Sequence, residues 1–79
     1  MFGKKQPRLE IYVGTVGCLE PIPSLDNPEL YETLVGWPIP RKADHISGRN
    51  IYGQQYGATV LWVQHYFEHN LIRVYAMQS

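Results

Sequence analysis

Two β-rich runs near the end of the chain constrain its folding most. Ala58-Thr59-Val60-Leu61-Trp62-Val63-Gln64-His65-Tyr66-Phe67-Glu68 and Leu71-Ile72-Arg73-Val74-Tyr75-Ala76-Met77 are separated only by His69-Asn70. Both are dense in β-branched and aromatic residues, which suit a pleated, half-buried surface. Asn tolerates positive φ, so His69-Asn70 reads as a two-residue hairpin turn. Glu68 then faces Leu71, and a register follows. Phe67/Ile72, His65/Val74 and Val63/Ala76 share one face, with Leu61 beyond; Tyr66/Arg73, Gln64/Tyr75 and Trp62/Met77 share the other. The first face is apolar apart from His65, and the second mixes aromatic and polar groups. A one-residue slip would destroy that segregation. The competing reading, a helix over 59–69 ended by Asn70, spreads Val60, Leu61, Trp62, Val63, Tyr66 and Phe67 too widely for one stripe, so the hairpin is preferred.

Upstream, Leu9-Glu10-Ile11-Tyr12-Val13-Gly14-Thr15-Val16 alternates with a period of two, placing Leu9, Ile11 and Val13 opposite Glu10 and Tyr12. Gly17 and Pro21-Ile22-Pro23 end this strand. Residues 28–35 carry helix signals: Asn27 as a cap, Pro28 at the first position, Glu29 near the positive end of the dipole, and Gly36 and Pro38 as stops. Leu30, Tyr31 and Leu34 would form its stripe. Trp37-Pro38-Ile39-Pro40 is rigid and extended. Arg41 to Gly57 reads as a long loop with one helical turn near Asn50–Gln55. The expected fold is therefore α+β: a three-stranded, mainly antiparallel sheet (9–16, 58–68, 71–77) with one short helix (28–35) on the face of Leu61, Val63, Phe67, Ile72 and Val74. The first strand is expected to border the hairpin and bring the two chain ends together. Residues 1–8 are expected to form a basic, flexible tail, and 9–79 one small domain.

Composition narrows the function. Seven Lys+Arg balance seven Asp+Glu in 79 residues, without the basic excess of a dedicated duplex binder. A single cysteine, Cys18, excludes an internal disulfide framework. No apolar run reaches the ~18 residues of a membrane helix, and the basic start has no apolar segment behind it to make a signal peptide. A cytoplasmic protein with no membrane partner is the expectation.

Chemistry-bearing patterns are weak. His65-Tyr66-Phe67-Glu68-His69 matches H-x-x-E-H, which binds Zn²⁺ when a helix sets the histidines one turn apart. No carboxylate, His or Cys follows His69 to complete the ligand set. Cys18 has only Glu20 as a charged neighbour in sequence, and a carboxylate does not activate a thiol as a nucleophile. His45-Ile46-Ser47-Gly48-Arg49-Asn50 lacks the spacing of a phosphate loop. No metal, no cofactor and no catalytic residues are expected. Residues 18–35 hold Glu20, Asp26, Glu29 and Glu32 and no cation, a secondary acidic patch for a basic partner. The main candidate surface is Trp62, Gln64, Tyr66, Arg73 and Tyr75, residue types largely enriched in interface hot spots. The reading is a non-enzymatic binding module that docks on a larger protein or self-associates. In size and composition it resembles accessory or inhibitor proteins of phages and mobile elements. The alternatives are single-stranded nucleic-acid binding through the aromatic face and, third, a small zinc-dependent hydrolase.

Overall fold

Alternation in the first strand and in the C-terminal hairpin organises the molecule, but around five strands rather than three. The structure, a computed structural model, describes residues 6–78. Strands β1 (Arg8–Cys18), β2 (Ser24–Val35), β3 (His45–Arg49), β4 (Gln55–Tyr66) and β5 (Leu71–Gln78) form one sheet in the order β2-β1-β5-β4-β3. All neighbours are antiparallel except β1 and β5, which run parallel with Glu10 beside Arg73 and Tyr12 beside Tyr75.

The expected α+β class is therefore wrong, and residues 28–35 are the main error. They belong to β2, which pairs with β1 along its length. Asn27 takes a left-handed φ of 50° and, with Pro28, forms a bulge between the pairs Val13↔Glu29 and Thr15↔Asp26. Proline lacks a donor, and an edge strand tolerates that. The same two residues that resemble a helix start thus serve as an edge bulge. A two-turn helix would have been marginal by itself, whereas β2 places Tyr31 and Leu34 against the core. The expected loop 41–57 likewise contains β3 and the start of β4. The supposed helical turn near Asn50–Gln55 is the β3–β4 connection, where Asn50 Oδ1 accepts the Tyr52 and Gln54 amides at 2.9 and 3.0 Å.

The hairpin exists, with a different turn. Phe67–His69 form a single 3₁₀ turn, and Asn70, left-handed at φ 50°, leads into β5. Gln64 faces Arg73, His65 faces Ile72 and Tyr66 faces Leu71, a two-residue shift from the expected pairing. An even shift preserves which side chains share a face. Phe67, expected in the core opposite Ile72, is instead 87% exposed, and its ring stacks on His65 at 5.7 Å. A second correction concerns Leu61. It is the extra residue between Val60↔Ala76 and Trp62↔Tyr75, so alternation reverses there. Val60, Ala58 and Tyr56 join the core, while Leu61 is buried outside that cluster.

The core covers one face: Leu9, Ile11 and Val13 from β1, Ile72, Val74 and Ala76 from β5, and Tyr56, Ala58 and Val60 from β4. The sheet curls over it into a half-barrel. In a flat sheet β2 and β4 would lie about 14 Å apart, three strand spacings. Here the Tyr56 hydroxyl donates to Glu32 Oε2 at 2.5 Å, and the Tyr31 and Tyr56 rings meet edge-to-face at 5.0 Å. No helix was needed to cover this face, because the sheet covers itself. Parallel β1 and β5 also correct the expected meeting of chain ends: Arg8 lies beside Leu71 but Gly14 beside Met77. Of the expected basic tail, Arg8 belongs to β1, and residues 1–5 lie outside the described residues.

Candidate functional site: the convex aromatic face

Because Leu9, Ile11 and Val13 turn inward, Glu10 and Tyr12 turn outward, and the parallel register sets them beside Arg73 and Tyr75. The bulge at Leu61 brings Trp62 opposite Tyr75 on the other flank. The result is a row of three rings across β1, β5 and β4. Tyr12 and Tyr75 have centroids 5.5 Å apart at 20°, and Trp62 and Tyr75 are 4.7 Å apart at 16°. These spacings match the distance between neighbouring strands. The rings therefore stand on edge across the strands, facing one another, and present their rims outward.

A polar row lies beside it. Arg73 Nε donates to Glu10 Oε1 at 3.0 Å, and Arg8 approaches Glu10 Oε2 at 3.6 Å. The guanidinium carbon lies 5.6 Å from the Tyr12 ring centre and 5.1 Å from that of Tyr66, within cation–π range. Donation to Glu10, and then to the Tyr75 hydroxyl oxygen, raises the Arg73 pKa beyond its already high value. Burial raises the Tyr75 pKa, opposed by the bond to Arg73. The Tyr66 hydroxyl donates to Gln64 Oε1 at 3.0 Å. Trp62, Tyr66, Arg73 and Tyr75 are all half-buried, and Gln64 is exposed.

Thus the five residues singled out from the sequence lie on one face. Sequence reasoning missed Glu10 and Tyr12 as members. Their alternation with Leu9, Ile11 and Val13 was legible, but their neighbours depended on the parallel pairing of β1 with β5. Next to Trp62, a depression of about 560 Å³ is lined by Arg41, Lys42 and His65. Neither Arg41 nor Lys42 has an ion-pair partner among the described residues.

The other candidates are dispersed. Glu20 lies in the turn after β1, and Asp26 and Glu29 are exposed on β2, but Glu32 turns inward to Tyr56. The four carboxylates therefore do not make one acidic patch. His45–Arg49 is strand β3, not a phosphate-binding loop. Cys18 is exposed, and its thiol donates to the Glu20 carbonyl at 2.8 Å. The H-x-x-E-H segment passes from a strand into a 3₁₀ turn, which is not the α-helical frame that the zinc motif requires. Among the described residues, no group of three or more His, Cys, Asp or Glu is placed to hold a metal ion, and no helix is long and apolar enough to cross a membrane. Comparison with known proteins finds no family model, curated protein or solved structure that matches this chain.

Proposed function

We propose that this chain is a non-catalytic binding module that docks on a larger protein through its convex face. The observation that carries this reading is the Tyr12–Tyr75–Trp62 row with Arg73 beside it, held in place by stacking and the Glu10 ion pair and still half-exposed. Aromatic and Arg side chains that are already ordered lose little entropy on docking, which favours hot-spot behaviour. The cationic rim of Arg41 and Lys42 favours a partner bearing carboxylates around an apolar centre.

Ring orientation argues against single-stranded nucleic acid. Successive bases need successive open ring faces. In this row the inner faces are used by neighbouring rings, so only the ends of the row are available. The test is affinity capture from the native host with the intact chain and with Trp62→Ala, each checked for a native NMR spectrum. The expected result is a partner retained by the first and lost by the second, because truncating a central hot spot costs at least ~2 kcal/mol. A partner retained equally by a folded Trp62→Ala protein would refute the assignment of this face. Self-association abolished by the same substitution would replace the partner with a second copy. A steep salt dependence of oligonucleotide affinity would support the nucleic-acid reading instead.

A further inference from the structure

The concave side of the half-barrel holds a different feature. A cavity of about 280 Å³ opens between the β2 and β3 edges, beneath the Trp37-Pro38 segment. This is near the lower end of the roughly 300–1,000 Å³ typical of small-molecule pockets. Its walls include Leu9, Ile11, Leu34 and Ile46, all apolar. Its polar centre is the pair Glu32 and Tyr56.

Glu32 is unusual in this setting. Its carboxylate is half-buried and accepts the Tyr56 hydroxyl at 2.5 Å, yet it has no cationic partner among the described residues. Burial and the Glu32 contact both raise the Tyr56 pKa, so the phenol stays protonated and donates its only hydrogen to the carboxylate. Gly48 on β3 makes room for this group, since a Cβ there would collide with Glu32 Oε2. A carboxylate in an apolar hollow costs free energy unless it is paired. Trp37, 61% exposed at the rim, adds a ring suited to a cation.

We propose that this cavity binds an ammonium group carried on an apolar stem. The ammonium pairs with Glu32, and the stem lies against Leu9, Ile11, Leu34 and Ile46. This chemistry has two sources, a free organic amine or a lysine side chain of another protein. The site is separate from the convex face and does not depend on its role.

The experiment is an NMR titration of the intact chain with phenethylamine, with 2-phenylethanol as its uncharged analogue. The expected result is saturable shifts at the Glu32, Gly48 and Tyr56 amides and the Trp37 indole, with the amine binding at least tenfold tighter than the alcohol. Glu32→Gln should lower amine affinity at least tenfold and leave alcohol affinity unchanged. If that variant loses its native spectrum, Gly48→Ala, whose Cβ displaces the carboxylate, is read by the ratio of amine to alcohol affinity, which should fall. A lysine tripeptide blocked at both ends distinguishes the sources: tighter binding than phenethylamine assigns a protein lysine, and weaker binding a free amine. Equal binding of amine and alcohol, no shifts at these residues with low-millimolar amine, or unchanged amine affinity in the folded variant would overturn the proposal.

Discussion

Double-mutant cycles on the ring row test its geometry without requiring a known partner. Tyr12, Tyr75 and Trp62 are each replaced by Leu, singly and in pairs, so that lost apolar area largely cancels within each cycle. The Trp62–Tyr75 pair is the closer and more nearly parallel, at 4.7 Å and 16°. A stacked aromatic pair contributes about 0.5–1.5 kcal/mol beyond its buried area, and this pair belongs in the upper part of that range. Tyr12–Tyr75, at 5.5 Å and 20°, belongs in the lower part. Tyr12 and Trp62 have Tyr75 between them, so their coupling should remain below ~0.5 kcal/mol, as for residues that do not touch. Urea unfolding followed by far-UV circular dichroism gives each free energy, with unchanged m values as the check that the denatured state is comparable. A Tyr12–Trp62 coupling as large as that of adjacent pairs would refute the three-ring row. So would a Trp62–Tyr75 coupling of zero.

Two further predictions concern the corrected core and the Glu32–Tyr56 contact. Ile72→Ala should cost about 2–5 kcal/mol as a buried truncation, whereas Phe67→Ala at an 87% exposed position should remain within about 0.5 kcal/mol; similar losses in urea unfolding would contradict the register. Because the Tyr56 pKa is raised above its ordinary 10.0 by burial and then by the Glu32 hydrogen bond, the unfolded chain releases this proton first as pH rises. The stabilisation should be intact below about pH 10 and be lost progressively above it; Tyr56→Phe should flatten that alkaline decline in urea titrations, and an unchanged decline would refute the assignment.

Much of the sheet could be read from side-chain alternation, and the failures have local causes. Residues 9–16 and 71–77 identify β1 and β5 because Leu9, Ile11 and Val13 on the first, and Ile72, Val74 and Ala76 on the second, alternate as buried residues. The candidate surface survived an incorrect turn because the pairing error was even, leaving Trp62, Gln64, Tyr66, Arg73 and Tyr75 together. The bulge at Leu61 has no comparable signal, since Leu fits either face of a strand, so the reversal of alternation before it was not legible. Asn27-Pro28 is ambiguous in principle: a left-handed or capping Asn followed by a residue without a donor suits both a helix start and an edge bulge. Only pairing with β1 decides between them. Glu32 reads as surface charge because nothing near it in sequence announces Tyr56, which lies three strand positions away in the sheet.

The placement of β5 bears on how the molecule is assembled. β1–β2 and β3–β4 are each antiparallel pairs of consecutive strands, so each can form locally. Neither can bury a full face, and two-stranded ribbons are marginal in water. β5, the last of the five in chain order, occupies the middle position and joins the two. Its link to β1 brings together residues as far apart as Glu10 and Arg73, so a large loop must close before the contact repays its entropy. β4 and β5 also form a local hairpin, so the long-range step that makes a single cooperative unit is the pairing of β5 with β1. Val74, completely buried at the centre of that strand and beside Ile11 of β1, sits at the join between the two halves.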